Sequence, residues 1–217
     1  LIASGIIMFV SFILFMISEL KHGTFAHLPL KDQIMNILFM VVTPRTAGYA
    51  SVDYRFVSMS GIFITLVLMF IGGSSGSTAG GFKITTLSVL MIALVSSFKK
   101  EQPNFQKRSI SNDRVQKAVI LLVLGIFIIT AMILLLFLTQ SFPAEFGFEA
   151  VLVEVFSCFG TVGLSMGITP YLNWFGKFLL IILMFMGRVG TLTVILSMGS
   201  TDRESKIHYP EGSVLIG

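Results

Sequence analysis

The sequence predicts an all-α membrane protein made of two repeats, each a helix, a half-length helix, a glycine-containing turn and a second helix. Three observations carry this. The chain is 54% hydrophobic and only 12% charged, with a mean hydropathy of +0.90, more apolar side chain than a soluble domain can hide. Short apolar runs at 34–42 and 150–159 end in glycine turns between longer apolar runs. The two turns share a pattern, Thr46-Ala47-Gly48-Tyr49-Ala50 over Thr161-Val162-Gly163-Leu164-Ser165, 115 residues apart.

Residues 1–17, 118–138 and 175–199 read as membrane spans, the second with 21 positions free of charge, against the roughly 20 helical residues that cross a bilayer core. Leu1 opens inside an apolar run with no initiator Met and no basic leader, so the expectation is an internal fragment rather than a signal peptide. The segment 99–117 carries Lys99, Lys100, Lys107, Arg108, Arg114 and Lys117 against Glu101 and Asp113. In so hydrophobic a chain this charge is explained by the positive-inside rule and not by a nucleic-acid patch, which places 99–117 in the cytoplasm. The tail 202–217, with Arg203 and Lys206, follows one excursion later and is expected on the same side. The organisation is then a first unit at 1–98, a cytoplasmic linker at 99–117, a second unit at 118–201 and a cytoplasmic tail at 202–217. The single cysteine, Cys158, has no partner for a disulfide or a metal site and reads as a small packed residue.

Ten helical residues reach about 15 Å, half a bilayer, so 150–159 enters the membrane and turns back. Irregular backbone at that depth survives only when it is buried in protein or lines an aqueous path. Extracellular hairpins with incidental glycines would not need the half-length helices that precede both turns. The pattern Thr-x-Gly after a short membrane helix is similar to a potassium-channel filter, in which backbone carbonyls replace the water around the ion. Glycine supplies the unusual backbone angles, and the threonine hydroxyl adds an oxygen. The C-terminal ends of the half-helices bring partial negative charge to the ion. The candidate filter residues are Thr46, Ala47, Gly48 and Tyr49 in the first unit and Thr161, Val162, Gly163 and Leu164 in the second.

The segment 56–98 has 43 residues, about 65 Å as one helix and twice a bilayer. It is interrupted by Gly72, Gly73, Ser74, Ser75, Gly76, Ser77, Thr78, Ala79, Gly80 and Gly81, then Phe82 and Lys83. Five glycines at about 1 kcal/mol each exclude a stable helix there. Two full spans would put the basic segment 99–117 outside, so one crossing broken midway is expected, with the break below the filter as a gate. Arg188, mid-span in MGRVG, is the second gate candidate, since a charge at that depth is costly and functional by default. A structural pair or a snorkelling side chain is the plain alternative, though Arg188 lies far from either end of 175–199. Loop carbonyls are expected to hold it. Lys83 has the weaker claim, being able to reach the inner interface.

Two pore units, GGSSGSTAGGFK at 72–83 and MGRVGTLT at 186–193, resemble the Trk/Ktr/HKT potassium transporters. TPRTAGYASVD at 43–53 and FGTVGLSMGITPYL at 159–172 are most similar to the KtrB-type bacterial membrane subunits. The resemblance implies four such units around one pseudo-fourfold pore, of which this chain would hold the third and fourth. It implies a multi-pass protein of the bacterial inner membrane, working as a membrane homodimer on a soluble ring of nucleotide-binding regulatory subunits. Potassium would be the transported ion and sodium an activator, with no covalently bound cofactor and no enzymatic activity. It gives 72–81 and Arg188 the roles of gate. The chain departs from the channel signature where Tyr49 and Leu164 follow the filter glycines without a second glycine, which points to fewer or weaker ion sites.

Gly73-Ser74-Ser75-Gly76 also fits a Gly-x-Ser-Gly motif of intramembrane serine proteases. That chemistry needs a base beside the serine, and His22, His27 and His208 all lie outside the expected spans. A phosphate-binding loop fails because Lys83 is neither preceded by Gly nor followed by Ser or Thr. A scaffold subunit without transport would leave the two turns and Arg188 without a purpose.

Overall fold

A computed structural model describes residues 2–22, 25, 28–74, 76–105 and 108–189 of the chain. Among these residues the fold is helical, apart from one antiparallel pair of two-residue strands. The elements are α1 (Ile2–His22), α2 (Leu30–Val42), α3 (Met59–Phe70), α4 (Ile84–Lys99), β1 (Asn104–Phe105), β2 (Arg108–Ser109), α5 (Asn112–Thr139), α6 (Phe148–Gly160) and α7 (Trp174–Val189). The tail 202–217 and the rest of the span expected to 199 lie outside the described residues.

The helix lengths follow the apolar runs. α1 and α5, of 21 and 28 residues, are long and apolar enough to cross a membrane. α2 and α6 each have 13 residues, about 20 Å and too short to cross. α5 starts at Asn112, six positions before the uncharged run that begins at 118. Its first turns hold polar and charged helix formers, so the helix extends beyond the apolar stretch into the segment expected as linker. Lys100, left-handed at φ +55°, ends α4 by turning its N–H back onto the Ser96 and Ser97 carbonyls, and the small β1–β2 pair reverses the chain toward α5.

α3 and α4 run in the same direction. Ile71 and Phe82 form a parallel bridge, so the chain resumes after the Gly/Ser loop in the direction in which it left. Phe70, the last residue of α3, stacks on Phe82 (5.4 Å between centroids) and on Phe159 of α6 (5.8 Å). These three rings tie the broken helix to the half-helix of the other unit, and α3 packs along α6 as a result. In the first unit α1 packs on α2 and α3. The buried Glu19 carboxylate accepts a hydrogen bond from Ser58, whose hydroxyl also caps α3 through the Gly61 N–H at 2.9 Å. The carboxylate's other oxygen, Oε2, is buried without a hydrogen-bond partner among the described residues.

α7 meets α6 backbone to backbone. A Cβ at Gly187 would overlap the Phe159 carbonyl oxygen, whereas a Cβ at Gly5 would meet nothing within 4 Å. Alanine in place of glycine favours a helix by about 1 kcal/mol, while overpacking costs about 1–3 kcal/mol. Gly187→Ala is therefore expected to lower the melting temperature of the purified protein, and Gly5→Ala to leave it unchanged or raise it. Equal behaviour of the two would mean that the α6–α7 junction is not tight.

Candidate ion-conduction site

The two Thr-x-Gly turns share a backbone conformation that few side chains accept. Thr46 and Thr161 are left-handed, at φ +69° and +52°, and Gly48 and Gly163 follow at +74° and +99°, while Ala47 and Val162 have negative φ. Left-handed backbone is uncommon for threonine, a β-branched residue. Its recurrence at matched positions makes the duplication a structural one. Alternating the sign of φ turns successive peptide planes so that neighbouring carbonyls tend toward one side, the arrangement that a carbonyl-lined ion path requires.

The turns come together. A Cβ at Gly48 would overlap the Val162 carbonyl oxygen, and one at Gly163 would lie 3.8 Å from the Gly48 Cα. Each turn leaves the C-terminal end of a half-helix. After α6 the Thr161 and Val162 N–H groups close onto Cys158 and Ser157 carbonyls at 3.1 and 2.8 Å. After α2 the Ala47 and Gly48 N–H groups both close onto the Thr43 carbonyl, at 3.1 and 3.2 Å. Both half-helices thus aim their partly negative ends at the turns. Ala47, Tyr49 and Gly163 are exposed, Thr46, Gly48 and Thr161 half-buried, and Val162 and Leu164 buried.

The Gly/Ser loop lies against the inner end of the second turn. The Gly80 N–H donates to Thr161 Oγ1 at 3.1 Å, and the Gly81 N–H donates to the Gly187 carbonyl at 3.3 Å. Its two stems pair as Gly72 N–H to Phe82 carbonyl (2.9 Å), Phe82 N–H to Phe70 carbonyl (3.0 Å) and Ile84 N–H to Gly73 carbonyl (3.2 Å). Gly72, Gly73, Ala79 and Gly80 are buried, whereas Ser74, Gly76, Ser77 and Thr78 are exposed. The loop has a packed base and an exposed tip, in which Ser77 donates to the Ser74 carbonyl through its N–H (3.1 Å) and its hydroxyl (2.7 Å). Ser75 lies outside the described residues, as do His27 and His208.

Arg188 is exposed, one residue past the carbonyl that holds the loop. The expected contact between its guanidinium and the loop carbonyls is not what the structure has. Among the described residues it is the Lys83 ammonium that donates to the Ala79 carbonyl. Lys83 is four residues from Ala79 and its stem follows the loop's own return path.

Sequence reasoning also passed over the groups that support the turns. The Thr43 hydroxyl donates to the Tyr49 carbonyl. Ser157 Oγ accepts from the Gly163 N–H at 3.0 Å, and the buried Glu154 holds Ser165 and Thr169. The only available signal was a carboxylate inside a half-length apolar helix, at Glu154. Beyond the turns a cleft of about 360 Å³ is lined by residues of both units, among them Ala50, Asp53, Arg55, Ser165 and Gly167. On its rim the Arg55 guanidinium, 2.6 Å from Asp53, holds that carboxyl below the usual carboxylate range.

Two half-length helices ending in paired left-handed turns, over a crossing broken by a glycine loop, define a membrane protein of the pore-loop class. The family model described as "TrkH: Cation transport protein" matches residues 2–206, and the chain belongs to that family of cation transporters. It is 43% identical over 209 residues to the potassium/sodium uptake protein NtpJ of Enterococcus hirae, covering 95% of this chain and 46% of that protein. It is 39% identical over 204 residues to the Ktr system potassium uptake protein B of Bacillus subtilis, covering 94% and 45%. Against the protein of the same description from Vibrio alginolyticus the identity is 34% over 220 residues, covering 100% and 47%. The chain spans somewhat under half the length of these relatives. The crystal structure of the potassium transporter TrkH from Vibrio parahaemolyticus shares the fold, with a TM-score of 0.74 at 22% identity over 89% of this chain and 43% of that one. These relatives are named as transporters and not as enzymes, and the protease reading of 73–76 finds no support among them.

The bond from Gly80 to Thr161 gives a direct test of the loop's attachment. A net hydrogen bond contributes about 1 kcal/mol, so Thr161→Val is expected to raise the open fraction of the loop several-fold. The one native cysteine is buried, so labelling of Ala79→Cys, a buried position, reports opening against a low background. Faster labelling in the Thr161→Val background is the expected result; an unchanged rate would mean that the bond does not restrain the loop.

Proposed function

We propose that this chain supplies two pore units of a potassium uptake transporter, with Thr46–Tyr49 and Thr161–Leu164 as two strands of a carbonyl-lined filter. The observation that carries the reading is the matched alternation of φ in the two turns together with their meeting at Gly48 and Val162. Family membership and the names of the relatives support potassium as the ion. The share of the relatives that this chain spans fits two units of a four-unit pore. The protein sits as a multi-pass transporter in the bacterial inner membrane. It works as a membrane homodimer on a soluble nucleotide-binding ring, with the cytoplasmic segments 99–117 and 202–217 facing that ring. Sodium acts as an activator.

The loop 72–81 forms the gate, with Lys83 and Arg188 as the cations beneath the filter. A loop fixed at its base and exposed at its tip suits that task, because it can swing without unpacking the rings of Phe70, Phe82 and Phe159. Two cations close to the path disfavour passage of a third until the loop moves.

The test is potassium flux through the full-length protein in liposomes, with sodium and rubidium as competitors. Gly163→Ser isolates backbone strain, since a Cβ there has room but φ is +99°. Strain of about 1–3 kcal/mol at such a site is expected to cut potassium preference over sodium by roughly tenfold or more. A folded mutant with wild-type preference would remove the filter assignment. Deleting 74–78, or replacing Arg188 by Ala, is expected to raise flux; lower or unchanged flux in folded protein would count against a gate.

A further inference from the structure

We propose that Glu154 is the positioning residue that holds the outer end of the second filter strand and so sets how well the pore separates potassium from sodium. The inference rests on the filter reading above and assigns it a residue outside the Thr-x-Gly pattern. Glu154 lies on α6, 5% exposed, in a helix whose other acidic residue is Glu149 in the first turn. A carboxylate at this depth is expensive unless its oxygens are all met by donors. Both are. Oε2 accepts from Ser165 Oγ at 2.7 Å and Oε1 from Thr169 Oγ1 at 2.6 Å.

The partners are what give this pair of bonds a function. Ser165 follows Leu164, the last residue of the candidate filter strand, and lines the outer cleft. Its Oγ also accepts from the Gly167 N–H at 3.0 Å, where Gly167 turns the chain at φ +88°. Thr169 opens the short helical turn Thr169–Tyr171 beyond it. One carboxylate thus fixes both sides of the turn that leaves the filter. Within the strand, Ser157 on the same helix takes the Gly163 N–H at 3.0 Å. The outer half of the strand is therefore fastened to α6 at Gly163 and just beyond Leu164, with charge-assisted bonds at the second of these.

The first unit lacks this fastening. The position 115 residues before Glu154 is Phe39, and that before Ser165 is Ala50. Its strand is held at the Tyr49 carbonyl by the neutral Thr43 hydroxyl. Selectivity among ions of one charge depends on how far the carbonyl array yields to the smaller ion. The stiffer second strand then carries more of the discrimination, and Glu154 carries the stiffness.

The experiment measures the ratio of potassium to sodium flux for the full-length protein in liposomes, in variants shown to be monodisperse. Glu154→Ala is expected to lower the ratio about tenfold, the scale of two charge-assisted hydrogen bonds. Glu154→Gln, which keeps one carbonyl oxygen and can offer its amide to a rotated hydroxyl, is expected to retain most of the ratio. Ser165→Ala leaves α6 untouched, so it tests the strand's tether even where Glu154→Ala does not fold; it is expected to lose several-fold. A wild-type ratio in Ser165→Ala, or equal losses in Glu154→Gln and Glu154→Ala, overturns the positioning role while the filter stands. A wild-type protein with no potassium preference overturns both.

Discussion

Backbone that leaves a helix inside a membrane must find partners for its amides and carbonyls within the protein, because the lipid offers none. The rest of this structure follows from that requirement. The loop between α3 and α4 meets it by pairing its own stems and by giving two amides away, one to Thr161 and one to the Gly187 carbonyl. Those bonds need backbones to approach closely. Glycine stands at each meeting point, at 80 and 81 on the loop, at 160 on the half-helix and at 187 on α7. A Cβ at Gly160 would lie 2.6 Å from the Met69 carbonyl oxygen. The glycines that look like flexibility in the sequence therefore act largely as packing residues.

The duplication preserves the backbone and relaxes the side chains that support it. Both turns keep the left-handed threonine and the glycine after the next residue. Their supports have diverged: Thr43 reaches the Tyr49 carbonyl in one unit, and Ser157 with Glu154 braces the strand in the other. This is the expected order of constraint. In the filter proposed above the ion meets backbone atoms, so backbone geometry is what both units must keep. Whatever side chain holds that geometry is free to differ.

Length and glycine spacing made most of this fold legible in the sequence. Apolar runs too short to cross a bilayer announced α2 and α6, and the charge at 99–117 required α3 and α4 to form one crossing. The left-handed backbone at Gly48 and Gly163 followed from residue type. What stayed hidden has a common cause, namely contact between segments far apart in the chain. Nothing local at Gly80 points to Thr161, 81 residues on. Nothing at Lys83 says that it, and not Arg188, takes the Ala79 carbonyl. The uncharged run also does not mark where α5 begins, because Asn112–Lys117, polar except for Val115, continue the helix beyond it.

The cations beneath the turns give the loop its physical character. A half-buried lysine ammonium needs an oxygen acceptor, and Ala79 supplies one from the loop itself. Lys83 is thus bonded to the segment whose movement would expose it, so displacing the base of the loop would strip the ammonium of its partner. Arg188 sits exposed on α7. On the gate reading proposed above, an opening confined to the exposed tip keeps the Lys83 bond, the three hydrogen bonds between the stems and the aromatic stack, and is therefore the cheapest one, since the base is packed through its glycines.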